Sequence, residues 1–164
     1  MPAPKTPITT ALDAHGIPYR VLHHGEPVFT MATAARQRGV VEDEMVKSIL
    51  LCDAGGRFVM ACVLGDARLD PKAVRDYLGP GWRRLHFADA AEIRAVTGCV
   101  QGAVAPLGLP ADVPVIFDAA IAGRARVNIS SGDPLAGLEL AAADLIRVAG
   151  AQLADITALE SGPS

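Results

Sequence analysis

Aromatic side chains are scarce in this 164-residue chain, where Phe, Tyr and Trp make up 4% of the residues. A core must therefore be assembled from Ala, Val, Leu and Ile. With 51% hydrophobic and 20% charged residues the composition is that of a globular chain and excludes a disordered one. No apolar run is long enough to cross a bilayer, and the opening MPAPKTPITT carries no apolar signal core. The expected address is cytoplasmic, with no membrane partner. A basic excess is missing too. The net charge of −3 argues against a protein that grips DNA or long RNA by neutralising phosphates, but leaves room for a short nucleotide end met by one or two cations.

Cysteine is rare, and Cys52, Cys62 and Cys99 have neither CxxC nor Cys/His spacing. The adjacent His23 and His24 point to opposite faces of an extended segment, which makes a poor ligand pair. No metal and no cofactor are expected. The familiar catalytic signatures are also lacking: no GxGxxG after a strand, no P-loop, no GxSxG and no HExxH.

What is present is an interspersed series of short elements. Thr6-Pro7 starts a helix with Ile8, Ala11, Leu12 and His15 on one face, stopped by Gly16-Ile17-Pro18. YRVLHH (19–24) reads as a strand, and Thr30 caps a short helix through Ala34, Ala35 and Arg38 to Gly39. VKSILLCD and RFVMACVLG, joined across Ala54-Gly55-Gly56, read as a β-hairpin. Asp70-Pro71 caps a third helix with Val74, Tyr77 and Leu78 inward, and Asp89 with Glu92 has capping-box spacing for a fourth, ending before Gly98. VPVIFD, RARVNIS and LELAA are strands, Ala142–Ala149 is the last helix, QLADI is a closing strand and ALESGPS a frayed tail. No repeat or linker divides the chain, so residues 1–164 are expected to form one α+β domain. The hairpins imply a mixed or antiparallel, barrel-like sheet with short helices around it.

Three segments could carry chemistry. Lys47 interrupts an apolar strand, either as a strand-end lysine reaching solvent or as a cation on a pocket wall. GAVAPLG (102–108) is either a structural turn or a reagent made of backbone. In the second case Gly102 lets a ligand come close, Ala103, Val104 and Ala105 contribute main-chain N–H groups, and Pro106 fixes the exit. NISSGD (128–133) is a turn former or a pocket edge, with Ser130 and Ser131 offering hydroxyls and Gly132 an unusual backbone angle. No histidine is placed to activate a serine nucleophile.

Taken together, the VKxxLL strand, the GxxxPLG loop, the VxxSxG turn and the LELAxxDL run resemble the YbaK/ProX family of trans-acting aminoacyl-tRNA deacylases, relatives of the editing insertion domain of prolyl-tRNA synthetase. The resemblance runs from about Ile17 to Ile156 and implies the fold of that family. It implies hydrolysis of the ester joining a wrong amino acid to the 3′ end of a tRNA, with the tRNA end as partner and an aminoacyl-tRNA synthetase such as prolyl-tRNA synthetase as a second one. The GxxxP backbone at Gly102 would orient the ester, and Lys47 would contact the terminal nucleotide or the reacting carbonyl. A ribose hydroxyl of the substrate would help activate water or, in cysteine editing, the substrate thiol would attack. Tyr19, Phe29 and Thr30 would lie on one side of the pocket, and Ser130, Ser131 and Gly132 on the other. Gly137 stands where cysteine-specific relatives carry an acid. The narrow loop of small residues makes the expected substrate a small amino acid (Ala, Ser, Thr or Cys) on tRNA. A non-catalytic aminoacyl- or nucleotide-binding module and a small-metabolite esterase are the two other readings.

Overall fold

The computed structural model describes residues 3–25, 34–36 and 44–158. Phe29, Thr30, Arg38 and Gly39 lie outside these residues, as does all of the C-terminal tail after Ala158. Helix α1 (Pro7–Ala14) begins where Thr6 accepts the Thr9 N–H, and the Thr9 side chain returns the bond to the Thr6 N–H. After β1 (Arg20–His23) come β2 (Val46–Asp53) and β3 (Phe58–Leu64), the expected hairpin. Helix α2 (Pro71–Leu78) is capped by Asp70, and α3 (Ala90–Thr97) by a full Asp89–Glu92 capping box. Strand β4 (Leu85–Phe87) lies between these helices, and β5 (Val115–Asp118) leads into a 3₁₀ turn (Ala119–Gly123). Strands β6 (Arg126–Ser130) and β7 (Ala136–Ala141), helix α4 (Ala142–Ala149) and β8 (Gln152–Ala154) complete the order.

The strands form two sheets, β1-β7-β6 and β4-β2-β3-β5-β8. The first is antiparallel. The second is mixed, because β3 pairs antiparallel with β2 and parallel with β5. Among the described residues one parallel bridge, Met45 to Asn128, links β2's lead-in to β6, so the expected mixed, antiparallel-rich sheet structure meets at a seam without closing into a complete barrel.

Burial on both faces explains why β3 is apolar without interruption. Its Met60, Cys62 and Leu64 point into the main core with Val127 and Ile129 of β6, Leu138 and Leu140 of β7, and Ile8 and Leu12 of α1. Its Val59, Ala61 and Val63 point the other way, toward Val74 of α2, Trp82, Leu85 and Ile156. One reading of the sequence changes here, and one strand is added. Tyr77 is 45% exposed, its hydroxyl meeting the Gln152 side chain, so α2 sends Val74 rather than Tyr77 inward. The strand Leu85–Phe87 had no sequence signal. No described helix is long and apolar enough to cross a membrane.

Candidate functional site

Among the described residues, the site is built from a gap in the pairing of β2. The Asp53 N–H donates to the Arg57 carbonyl, and the Gly65 N–H to the Met45 carbonyl. In an antiparallel ladder this phase aims the main-chain groups of Lys47, Ile49 and Leu51 at β3, and those of Val46, Ser48 and Leu50 away from it. Among the described residues, β4 pairs with Leu51–Asp53 on the side away from β3, and the bridge to β6 is at Met45. The Leu50 carbonyl is taken by the Ala88 N–H at 3.0 Å. Between β4 and β6, the strand edge around Ser48 borders a cleft.

That cleft has a volume of about 250 Å³ and is lined by Ser48, Ile49, Leu50, Phe87, Ala88, Ile93, Gln101, Gly102 and Val104. None of these side chains is ionisable. Its floor is the core itself, since Leu50, Ala88, Ile93 and Val104 are buried members of the main cluster. Its far wall is a tight turn closed by the Ala103 N–H donating to the Val100 carbonyl at 3.0 Å. Gly102 sits third in this turn at φ +91, the position that favours glycine. One amide of the anticipated array is thus spent inside the turn, and the exposed Gly102 faces the cleft opposite the β2 edge.

The other candidate residues separate from this cleft to different degrees. Lys47 precedes Ser48, and its Nζ donates to the Ala67 carbonyl at 2.8 Å. It shares the α2-facing side of β2 with Ile49 and Leu51. Ala103, Ala105 and Pro106 are buried, and Pro106 borders a separate hollow with Leu107 and Pro110. Ser130 is buried on β6 opposite Gly137 of β7, two residues beyond the seam. Ser131 is fully buried, its Oγ donating to the Ala136 carbonyl at 2.6 Å and accepting the Asp133 N–H. A Cβ on Gly132, at φ +90, would meet Thr6 Cβ at 2.9 Å and Cys99 Sγ at 3.2 Å. The Ser131–Gly132 turn is therefore packed on the start of α1. Tyr19 donates its hydroxyl to Asp13 at 2.9 Å, and partial burial with that acceptor raises its pKa.

No cysteine is available as a nucleophile. All three are free and buried, burial pushes Cys62 up to about 12, and it also raises Cys52 and Cys99. Among the described residues no group of three His, Cys, Asp or Glu side chains could hold a metal. Asn128, beside the seam, keeps its Oδ1 buried with no hydrogen-bond partner among the described residues. The sequence offered no signal for Ser48, Phe87 or Gln101 as cleft residues, because the gap depends on where two distant strands stop pairing.

Comparison with known proteins gives a consistent family. The model of the aminoacyl-tRNA editing domain matches residues 25–148. The prolyl-tRNA editing protein ProX of Acetoanaerobium sticklandii is 30% identical over 149 residues, covering 88% of this chain and 89% of that protein. A proline–tRNA ligase of Trichlorobacter lovleyi is 34% identical over 104 residues, 63% of this chain but only 18% of the ligase. The chain thus corresponds to a small part of the ligase. Among solved structures, a candidate trans-editing enzyme for prolyl tRNA synthetase superposes with a TM-score of 0.80 at 27% identity, covering 93% of this chain and 95% of that one.

Proposed function

The chain belongs to the aminoacyl-tRNA editing domain family, and from that premise we propose that it is a trans-acting deacylase that hydrolyses the ester of a mischarged tRNA carrying a small amino acid. The observation that carries this reading is the edge of β2 that, among the described residues, is left without a strand partner around Ser48 and borders a cleft with the Gly102 turn, the described lining of which has no ionisable side chain. An ester carbonyl lodged there meets main-chain dipoles on both sides. Water adds to the carbonyl carbon, and the oxygen that gains charge is stabilised by backbone donors held in advance of the reaction. The ester C–O bond then breaks, and the ribose oxygen leaves with a proton. Among the described residues the cleft lining offers no base to take the first proton from water, so a hydroxyl of the substrate ribose assists the attack.

Lys47, next to Ser48 in sequence, supplies a compact positive charge to the terminal nucleotide or the reacting carbonyl. The floor of Leu50, Ala88, Ile93 and Val104 favours a small apolar side chain on the amino acid. Selection by such a floor is loose, because one methylene is worth only about 1–3 kcal/mol. Prolyl-tRNA synthetase is the partner this reading favours, since relatives of the chain carry that enzyme's name.

The test is deacylation of a panel of tRNAs charged with Ala, Ser, Thr, Cys and Pro by the unaltered protein, Lys47→Ala and Ser48→Pro. Proline at 48 deletes a main-chain donor on the side away from β3, so it spares the β2–β3 ladder. Hydrolysis of at least one small-residue ester is expected, with a loss on the order of a hundredfold in Ser48→Pro and a marked loss in Lys47→Ala. Hydrolysis of none, or hydrolysis indifferent to both changes, refutes the reading.

A further inference from the structure

Charge is unevenly distributed in this acidic chain. Residues 57–84 hold six of the fifteen Lys and Arg but three of the eighteen Asp and Glu, so this stretch carries +3 while the whole chain carries −3. Part of that excess converges in space. Lys72 and Arg75 of α2 and Arg84, just before β4, line a hollow of about 480 Å³ with Asp70. Lys72, Arg75 and Arg84 are exposed. Asp70 is the acid of the hollow, and its Oδ1 is engaged in capping α2 through the Lys72 N–H at 3.1 Å. Arg75 is anchored by its Nε donating to the Trp82 carbonyl at 3.0 Å.

Strand β4 runs from this hollow to the cleft. Its last residue, Phe87, lines the cleft and is 60% exposed, in a chain with four phenylalanines. A strand advances about 3.3 Å per residue, so Phe87 and Arg84 stand roughly 10 Å apart along one edge. Phe87 pairs with Leu51, and Leu85 with Asp53, which puts both β4 side chains on the α2 side of the sheet. An uncovered ring beside a cleft, continued by a line of cations, has the make-up of a single-stranded nucleic-acid track, in which rings stack bases and cations hold phosphates.

We propose that β4 and α2 form the docking surface for the single-stranded 3′ end of the tRNA, with Phe87 stacking on a base next to the cleft and Lys72, Arg75 and Arg84 holding the phosphates that follow. This assignment rests on the deacylase reading and extends it, since it states from which side the RNA enters. It also reconciles an acidic protein with an anionic partner, because a local patch suffices for a short strand.

Direct binding tests the surface separately from catalysis. Uncharged tRNA and a short RNA ending in CCA are titrated by fluorescence anisotropy across a salt series with the unaltered protein, Phe87→Ala, Phe87→Trp and the double variant Lys72→Gln/Arg84→Gln. Thermal melts confirm that each variant is folded, and Arg147→Gln on α4 serves as the control for loss of a distant cation. Phe87→Ala is expected to weaken binding roughly five- to a hundredfold, with Phe87→Trp restoring it. The double variant is expected to flatten the slope of log affinity against log salt by about 1.4, at about 0.7 per phosphate contact on a single strand. Unchanged affinity and slope in folded variants, or no RNA binding by the unaltered protein, overturns the assignment. Deacylation measured in the same samples keeps the two readings apart. Hydrolysis with unaltered variant binding removes this surface and leaves the activity, whereas the predicted binding losses without any hydrolysis leave the surface and remove the activity.

Discussion

Two turns in this molecule look alike in sequence and are used in opposite ways. Each has a glycine in the left-handed region beside small residues, Gly102 at φ +91 and Gly132 at φ +90. At Gly132 the space beyond Cα is filled by Thr6 and Cys99, and the neighbouring Ser131 is tied to the Ala136 carbonyl. At Gly102 the turn is exposed and borders a cleft. What separates a structural glycine from a candidate binding one is therefore the occupant of the space a side chain would take. At Gly132 that occupant is Thr6 at the start of α1, with Cys99 beside it, whereas Gly102 is exposed at the edge of the cleft.

Substitution by alanine sharpens the contrast. Gly132→Ala is expected to lower unfolding stability by roughly 2–5 kcal/mol, combining left-handed strain with overpacking against Thr6. Its molecules that remain folded should hydrolyse substrate at the normal rate, as a denaturant melt paired with activity per folded molecule would reveal. Gly102→Ala reverses the pattern. Backbone strain there costs about 1–2 kcal/mol, while hydrolysis falls on the order of a hundred- to a thousandfold. Equal damage to fold and activity at both positions would erase the distinction.

A smaller effect is expected at the hairpin end of β2, far from the gap. The Asp53 carboxylate accepts the N–H groups of Gly55, Arg57 and Arg83. Its pKa is held below the ordinary value, chiefly by Arg57 and against the cost of its burial. A lowered folded value gives stability that is complete above the unfolded value near ~3.9 and is lost as pH falls through the folded one. Asp53→Ala should thus melt lower than the unaltered protein at pH 7, and the difference should shrink in melts run progressively below about pH 4. The smallest effect belongs to the outer face of the other sheet. Glu139 is bridged by Arg20 and Arg126, which hold its pKa down, but both arginines are more than half exposed. Arg20→Ala should change stability by less than ~1 kcal/mol, and added salt should reduce that difference further.

The sequence was most legible where structure is decided locally. The Thr6, Asp70 and Asp89 caps and the β2–β3 hairpin stand where their residues predicted, because each is closed by bonds within a few positions. Leu85–Phe87 was not legible, since three residues carry no period and this strand exists by pairing with Leu51–Asp53. Helical spacing put Tyr77 inward with Val74, yet its hydroxyl finds Gln152 at the rim. The candidate site was half legible. Gly102 was visible as an exception in an apolar loop. The edge at Ser48 was not, because among the described residues it is defined by partners that stop short on either side.

Leu50, Ala88, Ile93 and Val104 serve at once as interior packing and as the surface a bound molecule would touch. Fold durability and substrate choice consequently draw on the same atoms. A methyl group removed there to admit a bulkier amino acid also opens a void in the protein, so any widening of selectivity along that floor carries a penalty in heat tolerance that compensating changes elsewhere must absorb.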